Sequence, residues 1–149
     1  MLRSKEKHVL MSETHTAHNV TLAEARTIIA AATAKAEEIG QPMNIAVVCA
    51  GNHLLAFERM HNAWLGSVDI AIKKAWTSRA FNISTKDLGD NSQPNQQFFG
   101  INASNDGKVM IFAGGMPLMR DGRVIGAIGV SGGSGAQDQS VAEAGVSAL

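Results

Sequence analysis

Three side chains in one short stretch of the sequence could carry out chemistry. Cys49 ends a β-branched run, His53 follows four residues later, and His61 comes after a second apolar run. A cysteine thiolate is a nucleophile, and a histidine can carry a proton near neutral pH or bind a metal ion. The same residues also fit a packed strand cysteine and two polar turn histidines. The stretch therefore offers one candidate nucleophile and two candidates for proton transfer or metal binding.

Basic side chains form a second candidate set, on one predicted helix. Lys73, Lys74 and Arg79 lie on this helix, and adjacent lysines cannot share a helix face. At most one of the two lysines therefore points toward the rest of the fold. Such a cation could bind a carboxylate, whereas the others would be solvated.

Glycine is concentrated in the final third of the chain. Residues 112–138 read FAGGMPLMRDGRVIGAIGVSGGSGAQD, and a helix-like segment follows. A glycine-rich loop that leads into a helix presents free N–H groups, which favour an anion. We therefore expect any site to include this stretch. Asp138, in the first turn of the last helix, is a further acid–base candidate.

Composition and missing motifs exclude several classes of function. Lys plus Arg and Asp plus Glu number 13 each, so no net charge favours nucleic acid or an anionic membrane. There is no P-loop, no dinucleotide-binding glycine pattern, no C-x-x-C and no H-E-x-x-H. The single cysteine excludes an internal disulfide, and no apolar run suits a signal or a membrane span. The expected compartment is the cytoplasm.

Local patterns predict a flexible leader over residues 1–20 and a single domain over 21–149. Within the domain they predict helices over 21–39, 67–81 and 137–149, the second capped by Ser67. Strands are expected over 44–49, 54–60, 109–113, 116–119 and 123–130. Short hairpin connections indicate an antiparallel sheet covered by helices. The long connection over 82–108 is expected to cover a cavity.

Three segments of this sequence resemble a known family. The runs AVVCAGNHLLAFERM, SVDIAIKKAWTSRAF and GGMPLMRDGRVIGAIGVSGGSGAQDQSVAEA are similar to the GlcG/HbpS family of haem-binding proteins. They also resemble the C-terminal part of PduO-type corrinoid adenosyltransferases. The resemblance covers the chain from about Thr21 onward. It implies a profilin-like α/β (α+β) fold, with a five-stranded antiparallel sheet flanked by helices, and a homo-oligomer.

Two departures from the family pattern fall near the candidate residues. Members usually carry an Asp-Ala-Gly-Gly-His turn, whereas this chain has Cys-Ala-Gly-Asn-His over 49–53. Members often have an acidic residue after the first hairpin, where this chain has His-Asn-Ala over 61–63. Both changes fall at the expected rim of a pocket.

The resemblance implies a small-molecule ligand, with haem or a related tetrapyrrole as the leading hypothesis. His53 or His61 would be the iron ligand, and Lys74 would supply a counter-charge. The expected ligand-binding residues are Lys74, Gly114, Gly115, Gly132, Gly133 and Asp138.

Two alternatives stay open. One is an enzyme of a catabolic pathway that acts on a small organic or aromatic acid, with Cys49, His53 or Asp138 as the catalytic group. The other is a structural subunit without a ligand, whose glycine-rich strands serve oligomer packing.

Overall fold

The computed structural model describes Glu6 and residues 18–149; most of the predicted leader lies outside these residues. The elements in chain order are α1 (Leu22–Glu38), β1 (Asn44–Cys49), β2 (Leu54–Arg59), α2 (Gly66–Phe81), α3 (Thr85–Asp90), β3 (Gly115–Arg120), β4 (Arg123–Ser131) and α4 (Gly135–Val146). Two short 3-10 turns, Ile101–Ala103 and Asn105–Gly107, lie between α3 and β3. None of the helices in this described part has the length and apolar character needed to span a bilayer.

The sheet is antiparallel throughout, in the order β2-β1-β4-β3. The predicted antiparallel sheet with flanking helices is confirmed, but the expected count of five strands is wrong, because the described residues form four. The missing strand is the segment 109–113. Its Met110 N–H donates to the Thr77 hydroxyl of α2 at 3.0 Å, and Val109 is buried. This segment therefore packs against α2 and does not pair with β3.

One face of the sheet packs against α1 and α4. The predicted capping box is present: the Thr21 hydroxyl accepts from the Glu24 amide at 3.1 Å, and the Glu24 carboxylate accepts from the Thr21 amide at 2.8 Å. Val20, which the sequence places in the leader, is buried, and its amide donates to the Ile125 carbonyl at 3.0 Å. The core on this face comprises Val20, Ala25, Ile28, Ile29, Ala32, Ala36, Met43, Ile45, Val47, Leu118, Ile125, Ile128, Val130, Val141 and Ala142.

The opposite face packs against α2 through small residues. A Cβ at Gly129 would lie 2.0 Å from the Ala71 carbonyl oxygen and 2.4 Å from the Ala75 amide nitrogen. The backbones of α2 and β4 are therefore in direct contact at this point. This close approach places Lys74, one residue before Ala75, against the end of the sheet.

Two helix starts differ from the predicted ones. Ser67 does not cap α2: the helix begins at Gly66, its N-cap residue Leu65 makes no side-chain bond, and Ser67 is buried inside it. The last helix begins at Gly135 and not at residue 137. Its cap is Ser134, whose hydroxyl accepts from the Gln137 amide at 3.3 Å.

We expect Gly129→Ala to lower the free energy of unfolding by about 3 kcal/mol, because the added methyl group overlaps backbone atoms that cannot move independently. Urea denaturation measures this as a lower midpoint. Gly66→Ala is the matched control, since no atom lies within 4 Å of the added Cβ there. Equal midpoints for the two variants would contradict the close contact between α2 and β4.

Candidate functional site

A fully buried ion pair lies where α2, β4 and α4 meet. The Lys74 Nζ is 2.7 Å from the Asp138 Oδ2, and the two side chains are 0% and 4% exposed. Nζ also donates to the Val130 carbonyl oxygen at 2.8 Å. The ring of Phe112 covers the amine, with its centroid 4.6 Å from Nζ. Lys74 is thus enclosed by a carboxylate, a carbonyl and an aromatic face.

Local structure explains how these groups come together. Lys74 points toward the sheet, whereas its neighbour Lys73 points to solvent and pairs with Asp69 at 2.8 Å. Asp138 lies in the first turn of α4. Gly114, at φ +119°, leaves room for the amine, since a Cβ there would lie 2.9 Å from Nζ. The lysine that faces inward is the one expected to offer a charge.

Burial controls the electrostatics of the pair. Desolvation lowers the pKa of Lys74, and the charge and hydrogen bond of Asp138 offset this only in part. Desolvation also raises the pKa of Asp138, against the opposing effects of Lys74 and of the Gly133 and Gly132 amides. Both shifts favour the neutral forms. In each case the charge of the partner opposes the effect of burial, so the charged form of either group depends on the other.

The predicted anion-binding amides already have partners within the chain. Gly133 N–H donates to Asp138 Oδ1 at 2.9 Å, and Ser134 N–H donates to Gln137 Oε1 at 2.9 Å. Gly114 N–H donates to Gln139 Oε1 at 3.2 Å, and Gly115 N–H donates to the Thr85 hydroxyl at 2.8 Å. The structure brings the predicted binding residues together at one junction. Ligand contact at this junction stays a prediction.

Cys49 and His53 lie at the other end of the sheet. Cys49 pairs with Gly126, whereas Asn44, five residues earlier, pairs with Ser131. At the rise of a β-strand this separates Cys49 from the ion-pair end by about 17 Å. The three catalytic candidates therefore do not form one constellation: Asp138 is at one end, and Cys49 and His53 are at the other.

The turn between β1 and β2 brings Cys49 close to His53. The Cys49 Sγ and the His53 Nε2 each lie 3.8 Å from the Cβ that a side chain at Gly51 would have. Arg79, the alternative cation on α2, also reaches this turn, and its Nε donates to the Ala50 carbonyl at 2.7 Å. The side chains of Arg79 and Lys74 thus form hydrogen bonds at opposite ends of the sheet.

His61 lies on a separate cavity beyond the end of β2. The cavity has a volume of about 410 Å³ and is lined by Thr33, Glu37, Glu58, Arg59, Met60 and His61. Sequence reasoning singled out His61 but missed the other five residues. The spacing of Thr33 and Glu37, four apart on α1, could have identified one face of the cavity. Its partner face on β2 depends on tertiary packing.

His53 and His61 cannot bind one iron ion from within a single subunit. They flank β2, a strand of six residues that spans about 20 Å. Within the part of the chain that the structure describes, no three His, Cys, Asp or Glu side chains are arranged to hold a metal ion. A metal group at either histidine would therefore need ligands of its own, as a porphyrin provides.

The buried pair allows a direct test. We expect Lys74→Leu alone to lower the free energy of unfolding by about 3–5 kcal/mol, because it leaves the Asp138 carboxylate buried without its cation. The double change Lys74→Leu/Asp138→Leu should lose much less, since no buried charge remains. Denaturant unfolding of the wild type, both single variants and the double variant measures the coupling. Additive losses would contradict a buried, mutually dependent pair.

Comparison with known proteins identifies relatives of this chain. The model of the HbpS-like haem-degrading proteins matches residues 20–147. A 15.0 kDa protein from the dhaT–dhaS intergenic region of Citrobacter freundii is 38% identical over 133 residues, which cover 89% of this chain and 94% of that protein. The corrinoid adenosyltransferase PduO of Citrobacter freundii is 36% identical over 133 residues, 89% of this chain but 40% of PduO.

A solved structure gives the same result. The complex of PduOC with haem has a TM-score of 0.84 and 35% identity, and the match covers 87% of this chain and 94% of that chain. The resemblance read from the sequence motifs is thereby confirmed over nearly the whole described domain. The chain belongs to the HbpS-like family of haem-degrading proteins.

Proposed function

We propose that this chain binds haem or a related tetrapyrrole, with His61 as the protein ligand to the iron. Relatives support the ligand: the family is described as haem-degrading, and a structure 35% identical to this chain is a complex with haem. The choice of His61 depends on one observation. Its exposed side chain lines a cavity, and the exposed apolar residues Trp64 and Leu65 follow three and four positions later in the chain.

The residues around His61 suit a porphyrin. The cavity of about 410 Å³ falls within the size range of small-molecule sites. Trp64 and Leu65 lie three and four positions after His61 in the chain, and their apolar side chains are 62% and 76% exposed. Arg59 could pair with a propionate, whereas Glu37 and Glu58 would repel one. The acidic edge of the porphyrin should therefore face Arg59.

Bound haem would supply an iron centre for electron transfer or oxygen chemistry. The role of the chain is to bind and orient it. The His61 imidazole supplies a nitrogen ligand, and Met60, which is half-buried, supports the adjacent cavity wall. Trp64 and Leu65 would exclude water from one porphyrin face.

The alternatives receive less support from the geometry. An enzyme acting on a small acid would need Lys74 as a counter-charge, but this amine is already bonded to Asp138. A subunit that packs through its glycine strands would need them exposed. Gly126 and Gly129 are instead buried against Val20 and α2 of the same chain. Homo-oligomer formation stays part of the proposal, through surfaces other than these glycines.

A haem titration tests the proposal. The wild type should bind haem saturably with a shifted Soret band. His61→Ala should raise the Kd at least tenfold, about 1.4 kcal/mol, and change the spectrum, because the iron loses its nitrogen ligand.

His53→Ala is the matched control and should leave the Kd and the spectrum unchanged, since His53 lies at the far end of β2. Loss of binding in His53→Ala alone would move the ligand to the Cys49 turn. A wild type that shows no saturable Soret shift would overturn the proposal.

A further inference from the structure

We infer that the Lys74–Asp138 pair positions the cavity that His61 lines, through a continuous series of contacts along one end of the sheet. The part of this inference that concerns haem affinity rests on the proposed function. The mechanical link between the pair and the cavity does not, since it is carried by contacts within the chain.

The ion pair first fixes the end of β4 and the loop that follows it. Lys74 Nζ donates to the Val130 carbonyl at 2.8 Å, and Asp138 Oδ1 accepts from Gly133 N–H at 2.9 Å. The backbone is thus held on both sides of Ser131 and Gly132. Because the two charges are buried together, a shift of either side chain would leave the charge of the other unpaired in an apolar environment.

The loop then presses on the residues that precede β1. A Cβ at Gly132 would lie 2.6 Å from the Pro42 carbonyl oxygen and 3.1 Å from both the Cα and the Sδ of Met43. Gln41 Nε2 donates to the Gly132 carbonyl at 2.8 Å. The loop and residues 41–43 therefore form one tightly packed unit, with no space for even a methyl group between them.

Met43 transmits this position to the cavity wall. Its carbonyl accepts from Met60 N–H at 3.0 Å, and its own N–H donates to the Met60 Sδ at 3.4 Å. Both the backbone and the side chain of Met60 are thereby fixed by Met43. Met60 and His61 are adjacent in the chain and line the same cavity. The Lys74–Asp138 pair thus acts on His61 as a positioning element, through the loop, Met43 and Met60.

This link accounts for a feature that stability alone does not explain. A buried ion pair is seldom more stabilising than apolar residues of the same volume. A charge-assisted bond, however, holds its partners within a narrow range of distance and direction. Such a bond suits a loop whose position decides where a metal ligand points.

The experiment follows methionine methyl resonances in the apo protein and haem affinity in parallel. Lys74→Leu/Asp138→Leu removes both charges and the bond to Gly133. Gly132→Ala leaves the pair intact and forces a methyl group against Pro42. Lys73→Leu/Asp69→Leu is the matched control, because it removes a neighbouring pair that is exposed to solvent.

We expect the methyl resonances of Met43 and Met60 to shift in Lys74→Leu/Asp138→Leu and in Gly132→Ala. The resonance of Met119, which is exposed on β3, should not shift in either variant. The control variant should leave all of them in place. Haem Kd should rise at least tenfold in the first two variants and stay within twofold of wild type in the control.

Unmoved Met60 resonances in a folded charge-free variant, or in Gly132→Ala, would overturn the link. If the charge-free variant does not fold, Gly132→Ala decides the question alone. Shifted methyl resonances with an unchanged haem Kd would overturn the positioning role. A wild type that binds no haem refutes the proposed function, and the positioning role with it, while the methyl resonances still decide the mechanical link.

Discussion

The fold depends on one steric constraint, the direct approach of the α2 backbone to strands β3 and β4. Gly129 and Gly115 face each other across the two strands, and a Cβ on either would overlap the backbone of α2. Because these two positions carry no side chain, α2 lies close enough to the sheet for Lys74 to reach the Val130 carbonyl and Asp138 of α4. Two glycines thus determine where a charge is buried.

The sheet separates the chemistry of the molecule into two ends. Cys49, His53 and Arg79 gather at the turn between β1 and β2, whereas Lys74, Asp138 and His61 belong to the opposite end. Among the described residues, the second end combines the buried Lys74–Asp138 pair with the cavity that His61 lines. The proposed ligand agrees with this choice, because haem is a large planar molecule and not a small acid held by one cation.

The sequence was sufficient for features set by local spacing. The capping box at Thr21 and both hairpins follow from patterns within a few residues. The spacing of Lys73 and Lys74 showed that at most one of them faces the fold, whereas the choice of Lys74 came with the family resemblance. Features set by distant partners could not be predicted. Asp138 is 64 residues from Lys74, and residues 109–113 leave the sheet because a hydroxyl on α2 takes the Met110 amide. The cavity joins α1 to β2, and the spacing of Thr33 and Glu37 on α1 does not indicate which part of the chain forms the opposite wall.

The contacts of Val20 determine where the N-terminal boundary of this domain can be placed. Its side chain covers Gly126, where a Cβ would lie 2.7 Å from the Val20 Cγ1, and its amide bonds to Ile125. The preceding Asn19 accepts from the Ala50 amide at 2.8 Å, so it also ties the start of the domain to the Cys49 turn. A fusion joint or a protease site placed at the capping box would remove both ties. The folding unit therefore has its N-terminal boundary before Asn19, outside the first helix.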